Sequence, residues 1–364
     1  MDLGLADADL RRRLDAAYAR VMDSGWVVLG PELEAFEAEF AAYCGAGHAV
    51  GVGNGLDALA LTLRAAGIGP GQEVIVPSHT FAATWLAVEM AGARPVAAVV
   101  DSDTYTLTAG AAEAVLTDRT AAILPVSLYG HPADMDPLRA LCDARGLFLL
   151  EDGAQSHGAR YRGRVTGASA DATAFSFYPS KNLGAIGDGG AVVTSDPALA
   201  ERLRMLRNYG SRVKYAHEIG GVNSRLDELQ AAFLRERLRT LDQANTARRG
   251  IARAYGRGLA QTRAILPTEA EWAHHVWHLF VVRIGDRDAV QARLKAAGIE
   301  TLIHYPIPCH LQPCFAHLGY RAGDFPLAEQ LADEVLSLPL WPGMSDADVA
   351  TVIGRCVEVF ADGP

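Results

Sequence analysis

Apolar and polar positions along this chain follow two periods. Leu33, Phe36, Phe40 and Tyr43 recur at helical spacing behind Pro31, so an amphipathic helix is predicted over 31–43. Short runs rich in β-branched and apolar residues follow at 49–52, 73–77, 95–99, 121–126 and 147–151, and read as strands. Helical segments of about ten residues or more are expected between them. Two further runs, 172–178 and 191–194, read as buried strands on either side of a glycine-rich bend. Such βα alternation predicts an α/β fold whose mostly parallel central sheet is covered by helices, with ligands at the carboxyl ends of its strands.

Beyond the bend, 197–207 reads as a helix, 208–224 as a basic loop, and a long helical segment runs from Arg225 towards Gly258. A smaller α/β unit is expected after it, with strands at 275–284 and 300–304 around a helix at 288–297. Pro306, Pro308 and Pro313 then predict an irregular loop, and Ser345 followed by Asp348 resembles a capping box opening the last helix. The expected organisation is a large domain over 1–245 and a small C-terminal domain over 246–364.

At 364 residues and 50% hydrophobic content the chain can bury two cores, and its net charge of −10 argues against a nucleic-acid or anionic-membrane surface. No signal peptide or apolar run of spanning length is read, so a cytoplasmic protein is expected. The five cysteines are scattered without a Cys-x-x-Cys, which fits reduced thiols. Cys309, His310, Cys314 and His317 are metal-ligand types, but Pro308 and Pro313 interrupt them and no tight knuckle forms, so no metal is expected.

The chemistry lies in the loops. The bend 179–190 carries Lys181 among Gly184, Gly187, Gly189 and Gly190, which let the backbone take positive φ and pass close to another body. A lysine amine with its ordinary pKa of about 10.4 is a poor nucleophile, whereas a dry pocket or Schiff-base chemistry removes that handicap. The turn Gly51-Val-Gly-Asn-Gly55 leads from strand to helix and offers backbone N–H groups to a phosphate. It fails as a dinucleotide fingerprint, because Leu56 stands where the third glycine belongs. Phe81, just past a strand end, can stack on a flat ring, and Asp152, ending an apolar strand, calls for a cation such as a protonated pyridine nitrogen. Lysine, carboxylate, stacker and phosphate cup together point to pyridoxal 5'-phosphate, with Ser176 adding a hydroxyl to the phosphate and Gln155 a hydrogen bond to the ring oxygen.

The motifs Gly53-Asn-Gly-Leu-Asp-Ala-Leu59, Val76-Pro-Ser-His-Thr-Phe81, Glu151-Asp-Gly-Ala-Gln-Ser-His157, Phe175-Ser-Phe-Tyr-Pro-Ser-Lys-Asn-Leu183, Gly187-Asp-Gly-Gly190 and Asn223-Ser-Arg-Leu-Asp-Glu-Leu-Gln230 span nearly the whole chain. With them it resembles the nucleotide-sugar aminotransferases of the DegT/DnrJ/EryC1/StrS family. The resemblance implies the aspartate aminotransferase-like architecture, PLP fold type I. It makes Lys181 the cofactor lysine, Asp152 the ring-nitrogen partner, Gln155 the ring-oxygen contact, Phe81 the stacker, and Gly55, Leu56 and Ser176 phosphate contacts. Some family members carry histidine in place of the lysine and dehydrate sugars, but this chain keeps Lys181. The family's dimeric assembly implies a homodimer with shared active sites, Asn223 reaching the neighbouring subunit's cofactor phosphate.

The same resemblance implies transfer of an amino group from L-glutamate, or less readily glutamine or aspartate, to a nucleotide-linked keto-deoxysugar. The run 208–215 is similar to members that aminate carbon 3 of dTDP-linked 3-keto-6-deoxyhexoses. Arg212 and Lys214 are the candidate cations for the substrate's two phosphates, and Tyr215, His304, Tyr305 and His310 the other candidate substrate contacts. Amination at carbon 4 is the alternative. A non-catalytic PLP-binding regulator is a further one, weakened by the absence of a basic DNA-reading segment.

Overall fold

A computed structural model describes residues 8–361. Its centre is a seven-stranded sheet in the spatial order His48–Val52, Gly190–Thr194, Ala172–Ser176, Phe148–Asp152, Thr120–Ile123, Glu73–Pro77, Arg94–Ala98. All pairings are parallel except the two made by Gly190–Thr194. That strand follows Ala172–Ser176 through the lysine bend without a crossover helix, and a chain that doubles back in this way enters antiparallel. Thr120–Ile123 stops short of the predicted 126, because Pro125 has no N–H for the ladder.

Several expected elements differ. The helix between the third and fourth strands in sequence is only Ala109–Glu113. The single long helix expected beyond Arg225 is two, Glu228–Leu238 and Leu241–Gly258. The run 275–284 is extended as a strand only at Phe280–Arg283, paired with the unforeseen strand Val335–Leu338, since Trp277 takes a φ of 50° that breaks extension. Residues 300–304 form no strand, only a bridge from Leu302 to Ser337. Also unforeseen is the helix Ala8–Ser24, whose Leu14, Ala17 and Val21 pack with Ala232 and Phe233.

Val50, Val74, Trp85, Leu150 and Val192 belong to the core around the sheet, while Ile251, Tyr255, Phe280, Val282, Leu336 and Phe360 form a second cluster. Helix Leu241–Gly258 joins them: Leu241 packs with Phe36 and Phe40, and Ile251 onward with the second cluster. Phe315, Leu331 and Val335 return to the first core, so the C-terminal segment is packed against the sheet-bearing part. Ser345 and Asp348 do form a reciprocal cap, Asp348 N–H donating to Ser345 Oγ at 3.1 Å and Ser345 N–H to Asp348 Oδ2 at 3.2 Å. Among the described residues no helix is long and apolar enough to cross a membrane.

Candidate active site

Asp152 ends one strand and Ser176 ends its neighbour, which leads into the lysine bend, so adjacent parallel strands deliver both to the same edge of the sheet. The bend is fixed from several sides. Gln230 bonds Ile186 through both its amide oxygen and nitrogen, each at 2.8 Å, and Asn182 donates to Asn245 Oδ1 at 2.9 Å and to the Val276 carbonyl at 3.0 Å. Of its four glycines only Gly187 has a positive φ, 140°. The others serve close approach to the protein itself: a Cβ on Gly190 would lie 2.4 Å from the Asn54 carbonyl, and one on Gly184 2.5 Å from that of Pro179. The expectation that all four supply positive φ is therefore corrected.

Burial pulls the Lys181 amine down to about 8, against the opposing pull of Asp152. Asp152 itself is buried; Oδ2 accepts from Thr84 Oγ1 at 3.0 Å and Oδ1 from the Ala154 N–H at 3.1 Å. Burial nevertheless raises its pKa, opposed by those two bonds and by Lys181. A buried carboxylate with donors at both oxygens but no ion pair among the described residues fits a cationic ring nitrogen.

The phosphate end fits as well. Asn54 caps helix Gly55–Ala65 by accepting the Asp57 N–H at 2.8 Å, and the N–H groups of Gly55 and Leu56 have no preceding helical carbonyl to bond. A Cβ on Gly55 would come within 2.6 Å of Ser176 Cβ, so this turn lies directly against Ser176. Ser224 Oγ, next to Asn223, accepts from Gly53 N–H at 2.9 Å and donates to Asp57 at 2.6 Å, holding the turn from behind. Asn223 itself is exposed.

Phe81 is 53% exposed rather than part of the core, and its ring lies 5.1 Å from that of Tyr305 with the planes tilted by 33°. Gln155 is buried; it accepts the Tyr129 N–H at 2.6 Å and donates to the Tyr305 hydroxyl at 3.1 Å. Tyr129 also donates to the His304 carbonyl and lies 2.8 Å from His79 Nε2. His304 Nδ1 meets Ser337 Oγ at 2.8 Å; burial, helped by Lys181, lowers its pKa to about 4, so it is neutral at pH 7.

The remaining candidates are not gathered there. Arg212 pairs with Glu201 at 3.4 Å, and Lys214 sits 5.1 Å from the centre of the Tyr215 ring. They stand on the exposed hairpin Ser211–Val213 and Ala216–His217, where Tyr215 is 83% exposed. His310 stands apart from the other substrate candidates: its side chain is fully buried against Glu329 at 3.0 Å and Phe325. Its metal-type neighbours are likewise engaged, Cys309 Sγ with the Thr80 carbonyl at 3.3 Å and His317 with Glu89 at 2.7 Å.

Thr84 and Tyr129, which contact Asp152 and Gln155, carry no distinctive local signal in the sequence: Thr84 lies one helical turn beyond Phe81, and Tyr129 lies in the loop after the fourth strand in sequence, Thr120–Ile123.

The family model described as the DegT/DnrJ/EryC1/StrS aminotransferase family matches residues 8–357. The chain is 58% identical to dTDP-3-amino-3,4,6-trideoxy-alpha-D-glucose transaminase from Streptomyces venezuelae, over 98% of this chain and 95% of that protein. It is also 58% identical, over 95% and 94% of the two lengths, to the erythromycin biosynthesis sensory transduction protein EryC1 from Saccharopolyspora erythraea. A crystal structure of S. venezuelae DesV in complex with a ketimine intermediate superposes with a TM-score of 0.98 at 56% identity, covering 100% of this chain and 98% of that one. With a matching family model over nearly its full length and a shared fold, the chain belongs to the DegT/DnrJ/EryC1/StrS aminotransferase family.

Proposed function

We propose that the protein is a pyridoxal 5'-phosphate-dependent aminotransferase that moves the amino group of L-glutamate to carbon 3 of a dTDP-linked 3-keto-6-deoxyhexose, in amino-sugar biosynthesis. The observation that carries this reading is the opposition of Lys181, its amine lowered to about 8, and the buried Asp152 carboxylate at the edge of the sheet. The name of the Streptomyces venezuelae relative supplies the substrate class.

When bound, the cofactor supplies an electron sink for the bonds at the donor's α-carbon. Asp152 holds a proton on the ring nitrogen, and Phe81 supports the ring face. Gly55, Leu56 and Ser176 take the phosphate at the helix N-terminus, where the dipole favours an anion. Lys181 Nζ would anchor the cofactor; as a free amine it would accept the proton from the donor's α-carbon and deliver it to the cofactor carbon that carried the lysine. An amine with a pKa near 8 does this better than one near 10.5, because more of it is unprotonated at neutral pH. Neutral His304 adds no competing cation beside it.

The exposed hairpin and Asn223 support a homodimer in which this segment closes the partner's site, Arg212 and Lys214 meeting the substrate pyrophosphate after leaving their present partners. Five free cysteines, four of them buried, fit a reducing cytoplasm. The name of the Saccharopolyspora relative favours a second reading, a regulator that binds the cofactor without turnover.

The deciding assay offers dTDP-linked 3-keto- and 4-keto-6-deoxyhexoses with glutamate and locates the new amine by NMR. An amine at carbon 3 is expected. An amine at carbon 4 alone overturns the regiochemistry, and cofactor binding without any spectral response to an amino donor favours the regulator.

A further inference from the structure

Gln155 is fixed in orientation. Its Oε1 accepts the Tyr129 N–H at 2.6 Å, so Nε2 is the end turned to Tyr305, to whose hydroxyl it donates at 3.1 Å. A primary amide has two N–H donors, and the second has no acceptor among the described residues. The Tyr305 hydroxyl is in the same position: it accepts from Gln155, and no acceptor among the described residues takes its own proton. Two unspent donors thus meet at one point, one from each side of the site, and a bond between their heavy atoms keeps them together.

These two donors sit beside the ring platform, since the Tyr305 ring lies 5.1 Å from that of Phe81. Resting on the cofactor assignment above, in which Gln155 faces the ring oxygen, we propose that Tyr305 is a second hydrogen-bond donor to that oxygen and so sets how tightly the Lys181 nitrogen holds its proton. The oxygen is an anion that shares the proton held at Lys181 Nζ, and a donor to it is bonded most strongly when that proton has left. Tyr305 therefore favours the deprotonated nitrogen.

The phenol is equipped for this. Burial, with Asp152 nearby, keeps its pKa far above neutrality despite the Gln155 bond, so it remains a donor across the working range. The other groups that act on Lys181 are Asp152, which favours its charge, and His157, His278 and His304, all driven towards neutrality by burial. Tyr305 comes from the C-terminal loop and Gln155 from the turn after the strand Phe148–Asp152, so the donor pair also registers how the two parts of the chain are placed.

The test reads absorbance, not turnover. Wild type and Tyr305→Phe are loaded with pyridoxal 5'-phosphate and with its 3-deoxy analogue, which lacks the ring oxygen, and the visible band is titrated with pH. With the natural cofactor the midpoint of Tyr305→Phe is expected to rise by about one pH unit, and with the analogue the two proteins should titrate alike. Replacement of Tyr305 by 3-fluorotyrosine keeps the hydroxyl, strengthens it as a donor and should move the midpoint the opposite way, which keeps the test open if the phenylalanine protein folds poorly. Equal midpoints with the natural cofactor, or the same difference with both cofactors, overturn the proposal. Failure of wild type to develop any visible band overturns the cofactor assignment instead.

Discussion

Thr84 Oγ1 donates to Asp152 Oδ2 at 3.0 Å, and Thr80 Oγ1 stands 3.0 Å behind Thr84 Oγ1. The loop that presents Phe81 thus also feeds a two-hydroxyl chain to the carboxylate. Thr84→Val keeps the shape and removes the donor. A bond to a charged group contributes about 1.5–3 kcal/mol, so cofactor affinity at pH 7 should fall roughly ten- to a hundredfold. Since the lost donor favours the charged form, the Asp152 pKa rises further and cofactor loss on acidification begins at higher pH. Binding followed by absorbance between about pH 5 and pH 8 checks both statements.

Lys181 leaves a stability signature in the cofactor-free protein. Its pKa is lowered from 10.5 to about 8, so between these values the unfolded chain holds a proton that the folded chain has released. Stability from this group therefore increases as pH rises through that window, and the full penalty of the buried charge is present below about 8. Lys181→Met should remove this rise and stabilise the cofactor-free protein at pH 7 by about 3 kcal/mol, measured by urea unfolding at pH 7 and pH 10.

Beneath the phosphate turn, the buried Arg207 guanidinium bonds Glu37 and also donates to the Gly51 carbonyl at 2.7 Å, while Glu37 accepts the Gly51 N–H at 2.8 Å. Arg207→Met strands a buried carboxylate and should cost about 3–5 kcal/mol. The double variant Arg207→Met, Glu37→Gln should recover part of that loss. Denaturant unfolding of the two proteins gives the comparison.

Gly190→Ala should damage the phosphate cup without reaching the lysine. Its new Cβ would lie 2.4 Å from the Asn54 carbonyl oxygen and 3.0 Å from the Gly55 nitrogen, both backbone atoms that have to shift. Affinity for the cofactor should fall more than affinity for pyridoxal lacking phosphate. Gly250→Ala, in helix Leu241–Gly258 with nothing within 4 Å, is the control and should stabilise by about 0.5–1 kcal/mol.

Composite sites predict complementation. Lys181→Ala and Asn223→Ala subunits, each impaired alone, should regain part of the activity when mixed and refolded, because one of the two sites in the mixed dimer carries both native residues. Turnover of the mixture against each parent measures it, and no regain means that each site is built from one chain.

The amino-acid order determined the seven strands, the run of loops behind them and the residue types of the site. A buried strand must be apolar, and a turn that approaches a neighbour closely must be glycine; both leave local marks, as at 73–77 and Gly190. Local pattern did not carry the break at Trp277, where a positive φ ends an apolar run, nor the split of the helix beyond Leu238. It also could not place His310, whose polarity suits a ligand as well as it suits Glu329.

Only the tertiary structure decided which polar groups were left with unused donors. Gln155 and Tyr305 are 150 residues apart, and Thr84 and Asp152 are 68 apart. Their meeting depends on strand order and on the return of the C-terminal segment to the first core, neither of which is written in any one stretch of chain. The same burial that brings such groups together sets their proton affinities, so the lowered Lys181 and the raised Asp152 are properties of the folded protein rather than of its motifs.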